Sequence, residues 1–350
     1  MANSSSMLNI TTQCPSSGPT VSTEREILEQ TTIVILCTVL GVASFLGTLG
    51  NSLVLSSIMK FDDLREIPDL FIFSLSMSDF LVTAIYQPLK NYRLANLDQV
   101  STQMELFAIS RFLGFFSLIA SITNMFGVTV ERLISIRFPM KYDLVVTRRR
   151  AVITLICIWI FSFTLVILVS TELLSLMLLS TYFTMVLLGT VSIYLYIFLI
   201  ARKVENSVIQ IQNGSLDHEV SNNKRKRKAA KTIAIILGVS VGCWLPFLIF
   251  SAVLSKTPDT CTSNRCWKCF YSLQLLSVCN SSINPYIYCA RNRRYFAAFV
   301  KLLGLQKICR VQASFTPAYS PRSAVAIGAR AAPAEIQAPQ AKGEIIDVAL

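Results

Sequence analysis

Charged side chains are scarce in this 350-residue chain: Asp, Glu, Lys and Arg make up 15% of it, whereas hydrophobic residues make up 53%. Histidine occurs once, as His218, and the sequence shows neither a Cys/His metal-ligand spacing nor a serine–histidine pair facing a common site. We therefore do not expect an enzyme. The mean hydropathy of +0.55 is far above that of a soluble domain and indicates that the chain lies in a lipid bilayer.

Apolar runs recur along the sequence, each close to the roughly 20 residues that a helix needs to cross a bilayer. Segments this long and this uniformly apolar are helices rather than barrel strands, so we predict an all-α fold, a bundle of seven membrane-spanning helices. The predicted spans are Ile33–Met59, Leu70–Leu89, Leu106–Ile136, Ala151–Ser170, Leu176–Ile200, Ile233–Leu254 and Phe270–Ala290.

Lys and Arg are concentrated in every second segment between the spans, which predicts an amino terminus outside the cell and a carboxyl terminus inside. The net charge of +12 is then largely a topology signal. We interpret the basic run Lys224–Lys228 as flanking the membrane, so no nucleic-acid partner is expected. Residues 1–30 lack the apolar core of a signal peptide, and the first span is expected to act as its own insertion signal.

This topology divides the chain into three regions. They are an extracellular amino terminus at 1–30, a membrane domain with a surface helix at 31–304 and a disordered cytoplasmic tail at 305–350. Alternating aromatic and basic residues between Asn292 and Leu303 predict that the surface helix is short and amphipathic. Asn3 and Asn9 are predicted glycosylation sites, and Cys309 is a candidate for acylation.

Polar residues occur in two spans where lipid should exclude them. The segment Asn280–Tyr288 reads Asn-Ser-Ser-Ile-Asn-Pro-Tyr-Ile-Tyr, and Asp79 is the lone carboxylate deep in the second span. Polar and ionisable groups at this depth are costly and usually functional. We therefore expect both segments to serve the activity of the protein.

Short motifs occur in a fixed order along the spans. They are Gly50-Asn51, Leu75 to Asp79, Glu131-Arg132, Trp159, Tyr194, Cys243-Trp244-Leu245-Pro246 and Asn284-Pro285-Tyr286-Ile287-Tyr288. Together they resemble rhodopsin-like (class A) G-protein-coupled receptors over residues 31–304. The resemblance implies a plasma-membrane receptor that converts binding of an extracellular ligand into activation of a heterotrimeric G protein, with arrestin and membrane lipid as further partners. A multi-pass transporter is the alternative, although the internal repeats typical of transporters are not found.

The resemblance also implies a sodium pocket around Asp79, with Ser121, Asn280 and Ser281 as its other members. Sodium would act there as an allosteric modulator, and no other cofactor is expected. The alternative is a hydrogen-bonded polar cluster that only packs helices together. Because a cation bound to one conformer stabilises that conformer, sodium-sensitive agonist affinity distinguishes the two interpretations.

A second implied group of residues switches conformation and couples to the G protein. Its members are Glu131, Arg132, Tyr194, Pro246, Asn284, Pro285 and Tyr288. The two prolines each remove an intrahelical hydrogen bond and create local weak points. The family's usual Asp-Arg-Tyr is Glu131-Arg132-Leu133 here, and no acidic residue precedes Lys226–Lys231 on the sixth span, so we expect elevated basal activity.

Departures from the usual sequence pattern of the family indicate which of its receptors the chain resembles. Phe107 replaces the cysteine that most relatives carry at the outer end of the third span, and only Ser170 to Ser175 separates spans four and five. These features are similar to melanocortin receptors, while the cytoplasmic helix ends are similar to adenosine receptors. The chain is placed near the melanocortin, lysophospholipid, cannabinoid and adenosine receptors. The outward cysteines are an even set that could form two bridges of unassigned connectivity, and the candidates are Cys14, Cys261, Cys266 and Cys269.

The ligand is predicted from the residues at matching pocket positions. Gly114 stands where aminergic receptors carry an aspartate, and Val278 stands where opsins carry their lysine, so amines and retinal are disfavoured. The remaining pocket is apolar at its floor and basic at its mouth, which suits an anionic lipid or peptide, unless its cations only reach toward lipid headgroups. Its candidate residues are Lys90, Arg111, Gly114, Phe115, Leu118, Trp244, Phe247, Leu248, Ser251, Gln274 and Ser277.

Overall fold

The computed structural model describes residues 29–96, 100–138, 140–211, 238–254 and 264–307, and within these ranges the chain is helical with short turns and no β-strand. Several predictions concern residues outside this part of the chain. They involve Asn3, Asn9, Cys14, Cys261, Cys309, the basic run Lys224–Lys228 and the tail beyond Lys307.

Helices occupy each of the seven predicted spans. They are α1 (Gln30–Lys60), α2 (Ile67–Leu81) continuing through a π-helical turn (Val82–Tyr86) into α3 (Gln87–Ala95), α4 (Val100–Arg137), α6 (Arg148–Ser170), α7 (Leu176–Ile211), α8, described from Gly238 to Leu254, and α9 (Asn264–Arg291). Among the described residues, two short α-helices lie outside the spans, α5 (Tyr142–Val145) and α10 (Arg293–Leu302), as do two 3-10 turns, Asp62–Leu64 and Leu305–Lys307. The all-α bundle and the surface helix are therefore confirmed.

Within the described residues, five spans are long and apolar enough by composition to cross a membrane, and α9 is not one of them. Its 28 residues are long enough, but polar side chains lower its mean hydropathy. Asn280, Ser281 and Asn284 are all buried inside the bundle. The seventh span therefore presents polar groups to its neighbouring helices.

The π-helical turn in the second span follows from Pro88. Proline has no N–H, so it cannot donate to the carbonyl four residues earlier, and the ladder shifts. The Gln87 N–H donates instead to the carbonyl of Val82, five residues back. The turn places Gln87 and Lys90 against α9, where Gln87 Nε2 donates to the Val278 carbonyl at 3.1 Å and Lys90 Nζ to Gln274 Oε1 at 2.6 Å.

Helix α1 packs closely on α9 through two glycines. A Cβ atom added to Gly50 would lie 2.8 Å from Pro285 Cβ, and one added to Gly47 would lie 2.7 Å from Ser282 Oγ. Ordinary carbon–carbon contacts are about 3.5–4.0 Å, so no larger residue fits without movement. These glycines allow the backbone of α1 to approach the polar segment of α9.

The connection between α6 and α7 is as short as the sequence indicates. Helix α6 ends at Ser170, α7 begins at Leu176, and Glu172 turns the chain with a φ of 60°. No long loop therefore covers this end of the bundle between these two helices. We call this end, which also holds Glu29, the Glu29 end, and the opposite one the Arg132 end.

Candidate signal-transduction site

Asp79 is fully buried inside the bundle and is held by side chains of two other helices, α4 and α9. Its Oδ1 accepts a hydrogen bond from Ser121 Oγ on α4 at 2.6 Å, and its Oδ2 accepts one from Asn284 Nδ2 on α9 at 2.8 Å. Ser281, also on α9, lies beside this carboxylate. The structure thus brings together Asp79, Ser121 and Ser281 as predicted, with Asn284 as a direct partner.

Among the described residues, three buried asparagines of α1 and α9 carry unpaired side-chain oxygens, and one of them, Asn284, bonds to this carboxylate through its Nδ2. The side-chain Oδ1 atoms of Asn280, Asn284 and Asn51 are buried and have no hydrogen-bond partner in the part of the chain that the structure describes. Asn51 Nδ2, by contrast, donates to the carbonyls of Gly47 at 2.9 Å and Ser281 at 3.1 Å. A buried acceptor without a donor is unfavourable, and a hard cation satisfies oxygen ligands of this kind.

Glu131 and Arg132 form an ion pair at the Arg132 end of α4. Arg132 Nε lies 3.2 Å from Glu131 Oε2, and Glu131 is almost entirely buried. The other carboxylate oxygen accepts a hydrogen bond from the Tyr142 hydroxyl of α5 at 2.6 Å. Burial and this bond to Glu131 raise the pKa of the Tyr142 phenol, so it remains a donor at neutral pH.

The sequence did not reveal the role of Tyr142. This residue belongs to one of the cytoplasmic helix ends that are similar to adenosine receptors, and no separate role was predicted for it. Its position 11 residues after Glu131 gives no periodic signal, because α4 ends before it and a turn, in which the Lys141 N–H donates to the Phe138 carbonyl, leads into α5. Asn124 was missed as well: it accepts from Ser74 Oγ at 2.7 Å, and Ser74 in turn accepts from Trp159 Nε1 at 2.9 Å.

The remaining switch candidates lie on α7, α8 and α9. Pro285 is buried inside α9, Pro246 is half-buried in α8, and Tyr194 is half-buried on α7. Tyr288 is buried, and its hydroxyl has no hydrogen-bond partner among the described residues. It lies one helical turn after Asn284 on α9, on the side of the Asp79 cluster that leads to the Arg132 end.

The predicted floor of the ligand pocket is a packed aromatic and aliphatic core. Trp244 stacks on Phe183 of α7 with ring centroids 5.6 Å apart, and Leu248, Phe115 and Leu118 belong to the same core. Sequence reasoning missed Phe183, because an aromatic residue on an apolar helix carries no distinguishing signal.

Other pocket candidates lie around this core. Gly114 is buried against the ring of Tyr86, where a Cβ atom would lie 2.5 Å from Cε2. Phe247 packs near Phe270 with centroids 5.5 Å apart, and Ser251 is half-buried. The carboxylate that aminergic receptors carry at the position of Gly114 has no space here.

The predicted basic mouth is divided between two places. Lys90, bonded to Gln274, lines a small cavity with Arg93, Leu40 and Leu275, and Ser277 bonds its own helix at the Gln274 carbonyl. Arg111 is exposed and lines a separate cavity of about 390 Å³. That cavity also includes Ala108, Ile109, Phe112, Leu113 and Ser170.

The structure does not pair all four cysteines that the sequence offers as bridge candidates. Cys269 is a free, exposed thiol, whereas Cys266 is disulfide-bonded. Both cysteines lie in the first two turns of α9. Residues three apart on a helix point in similar but not identical directions, so one thiol can form a disulfide while the other remains free.

The family described as 7 transmembrane receptor (rhodopsin family) matches residues 50–173 and 168–288, most of the chain. The chain belongs to this family. It is 31% identical to melanocortin receptor 4 of Danio rerio over 77% of the chain and 84% of that receptor. It is 28% identical to melanocortin receptor 5 of Mus musculus over 78% and 85%, and 24% identical to the human alpha-1A adrenergic receptor over 80% and 70%.

Membership of this family confirms several predictions made from the sequence motifs. The protein is a G-protein-coupled receptor, a multi-pass protein of the plasma membrane that responds to an extracellular ligand. The family consists of receptors rather than enzymes.

Proposed function

We propose that this receptor transmits ligand binding at its Glu29 end to a G protein at its Arg132 end by rearranging α8 and α9 around the Asp79 cluster. The buried Tyr288, one helical turn after the Asp79 partner Asn284 and toward the Arg132 end of α9, carries this proposal. Pro246 and Pro285 supply the weak points that allow movement. Arrestin is a further expected partner, because it would use the same cytoplasmic opening.

The proposed orientation places the amino terminus outside the cell. The distribution of Lys and Arg supports it, as does α10, whose buried Tyr295, Ala298 and Phe299 face the bundle while Arg293 and Lys301 are exposed. Glu29 at the opposite end pairs with Lys268 at 2.6 Å, and this pairing holds the pKa of the Glu29 carboxyl below its usual value.

Guanine-nucleotide exchange on added G protein tests the proposed coupling. Membranes that carry the receptor should exchange nucleotide faster than empty membranes even without ligand, because no acidic partner from the sixth span was predicted for Arg132. Replacing Arg132 with alanine should return nucleotide exchange to the level of empty membranes. Arg137→Ala is the control, because Arg137 lies about one and a half helical turns after Arg132 and makes an exposed contact to Tyr196. Its nucleotide exchange should equal that of wild type. Equal exchange by wild type and empty membranes without ligand would contradict the expected basal activity, and equal exchange under every condition would contradict the coupling.

We propose that a sodium ion binds beside Asp79. The full burial of Asp79, its two short hydrogen bonds and the unpaired amide oxygens of Asn51, Asn280 and Asn284 support this site. Sodium would stabilise only the conformation in which these groups converge. The alternative, a polar cluster without an ion, leaves those amide oxygens unsatisfied.

For the ligand we propose an anion with an apolar tail, as in a lipid carboxylate or phosphate. The cavity near Arg111 supports this class, because one exposed guanidinium lies among Ile109, Phe112 and Leu113. A guanidinium binds carboxylates and phosphates through paired hydrogen bonds, and the apolar side chains suit an acyl tail. Lys90 is a weaker candidate for the anion, because its amine already donates to Gln274.

Replacing Arg111 with alanine should reduce the potency of anionic lipid agonists at least about tenfold, since charge-assisted hydrogen bonds are lost. Lysine at this position should retain part of the potency, because it keeps the charge without the planar fork. The measurement is nucleotide exchange against a panel of lysophospholipids and fatty acids, with acidic peptides as a comparison set. Unchanged potency in Arg111→Ala would show that this cation only reaches toward headgroups.

A further inference from the structure

The surface helix α10 is joined to the second span by a buried hydrogen bond. The Tyr295 hydroxyl donates to Asp69 Oδ1 at 2.9 Å, and both residues are almost fully buried, at 0% and 1% exposure. Asp69 lies in the first turn of α2, where its other oxygen accepts from the Glu66 N–H at 3.2 Å. A bond between a phenol and a buried carboxylate is among the stronger hydrogen bonds in proteins.

Arg294 reinforces this junction from the adjacent position. Its guanidinium lies 3.0 Å from Glu66 Oε1 and 3.8 Å from Asp69 Oδ2, and it donates to the Asp63 carbonyl at 2.8 Å. Burial, together with the charge of Asp69, raises the pKa of the Tyr295 phenol, so the phenol stays protonated as a donor. We call Tyr295, Asp69, Arg294 and Glu66 the latch.

The latch contacts a residue of the switch directly. The rings of Tyr295 and Tyr288 lie with centroids 6.1 Å apart, and the Asn292 N–H that begins the turn into α10 donates to the Tyr288 carbonyl at 2.9 Å. Tyr288 itself has no hydrogen bond on its hydroxyl among the described side chains. Its position at this end of α9 is therefore fixed by packing against Tyr295 and by the short turn to α10.

We propose that Tyr295 and Asp69 are positioning residues that hold Tyr288, and with it the end of α9, against α2 in the arrangement described here. Movement of Tyr288 toward the G-protein side then requires the Tyr295–Asp69 bond to loosen. The latch thereby sets the equilibrium between resting and signalling conformations. This inference rests on the helix rearrangement proposed above and adds a restraint at the junction of α9 and α10.

Tyr295→Phe tests the latch, because it removes one hydroxyl and keeps the ring that packs on Tyr288. Basal nucleotide exchange per receptor should rise about tenfold, since a hydrogen bond to a charged group is lost from one conformation only. Tyr286→Phe is the matched control: its hydroxyl joins α9 to α1 through the Leu46 carbonyl at 2.9 Å but does not contact Tyr288. Its basal exchange should equal that of wild type.

A double-mutant cycle with Asp69→Leu separates positioning from a merely structural role. Each single variant should raise exchange per receptor, and Tyr295→Phe with Asp69→Leu should raise it no further, because both remove the same bond. A structural role would lower surface expression and thermal stability without raising exchange per receptor. That result, or exchange in Tyr295→Phe equal to that in Tyr286→Phe, would overturn the latch.

The two proposals fail in different ways. If wild type catalyses no exchange under any condition, the proposed coupling is wrong. If wild type exchanges nucleotide and responds to Arg132→Ala while Tyr295→Phe changes nothing, the coupling stands and the latch is wrong.

Discussion

Replacing Asp79 with asparagine should abolish the effect of sodium on this receptor. In wild type, exchanging 150 mM sodium chloride for N-methylglucamine chloride at equal ionic strength is expected to raise basal nucleotide exchange about tenfold, within the usual range of allosteric coupling. Asparagine is nearly isosteric and accepts from Ser121, but it lacks the charge that an ion requires in a buried site. The variant should exchange nucleotide at one rate in both salts.

Ser76→Ala provides the matched control for this measurement. Ser76 lies on the same helix as Asp79, is fully buried and has a hydroxyl without a partner in the described structure, so its removal perturbs packing but not the cluster. Its sodium response should match that of wild type. A sodium response that persists in Asp79→Asn would mean that the cluster only packs helices together, the alternative that the sequence left open.

The polar residues of the second and seventh spans show how far sequence could predict this site. Apolar lipid makes any buried carboxylate conspicuous, so Asp79 and the segment Asn280–Tyr288 were identified by contrast with their surroundings. Helical periodicity then predicts which of these side chains face inward. The structure places Asp79 and Asn284 in direct contact and Ser281 beside them, as this logic requires.

Contacts made by residues of types that are common at their place in the fold could not be predicted in this way. Asp69 and Tyr295 lie near the membrane edge, where charged and aromatic side chains are common, and their bond joins positions 226 residues apart. Arg111 illustrates the opposite error: its sequence position near the end of α4 suggested the same mouth as Lys90, but the rotation of the helix directs it to a different cavity. Rotation about a helix axis changes by about 100° per residue, so small errors of register move a side chain to another face.

Replacing Gly47 with valine should prevent the bundle from assembling normally. A Cβ atom at this position would overlap Thr83 Cγ2, lie 2.7 Å from Ser282 Oγ and approach the Ser282 Cα atom at 3.0 Å. The last contact involves backbone, so no rotamer change relieves it, and α1 must move away from α9. Overpacking of this kind costs about 1–3 kcal/mol or more, which is enough to lower receptor abundance several-fold.

The same displacement should also disturb the central cluster. The Gly47 carbonyl accepts from Asn51 Nδ2, which in turn donates to the Ser281 carbonyl of α9 at 3.1 Å, so moving α1 breaks the bond that joins the two helices beside Asp79. We therefore expect Gly47→Val receptors that reach the surface to respond less to sodium than wild type. Gly242→Ala is the control, because in the part of the chain that the structure describes no atom beyond its own helix lies within 4 Å of an added Cβ, and alanine favours helix. Surface labelling and thermal unfolding of both variants measure the difference. Wild-type abundance and sodium response in Gly47→Val would show that α1 tolerates a wider spacing, and that the approach of its backbone to α9 does not shape the ion site.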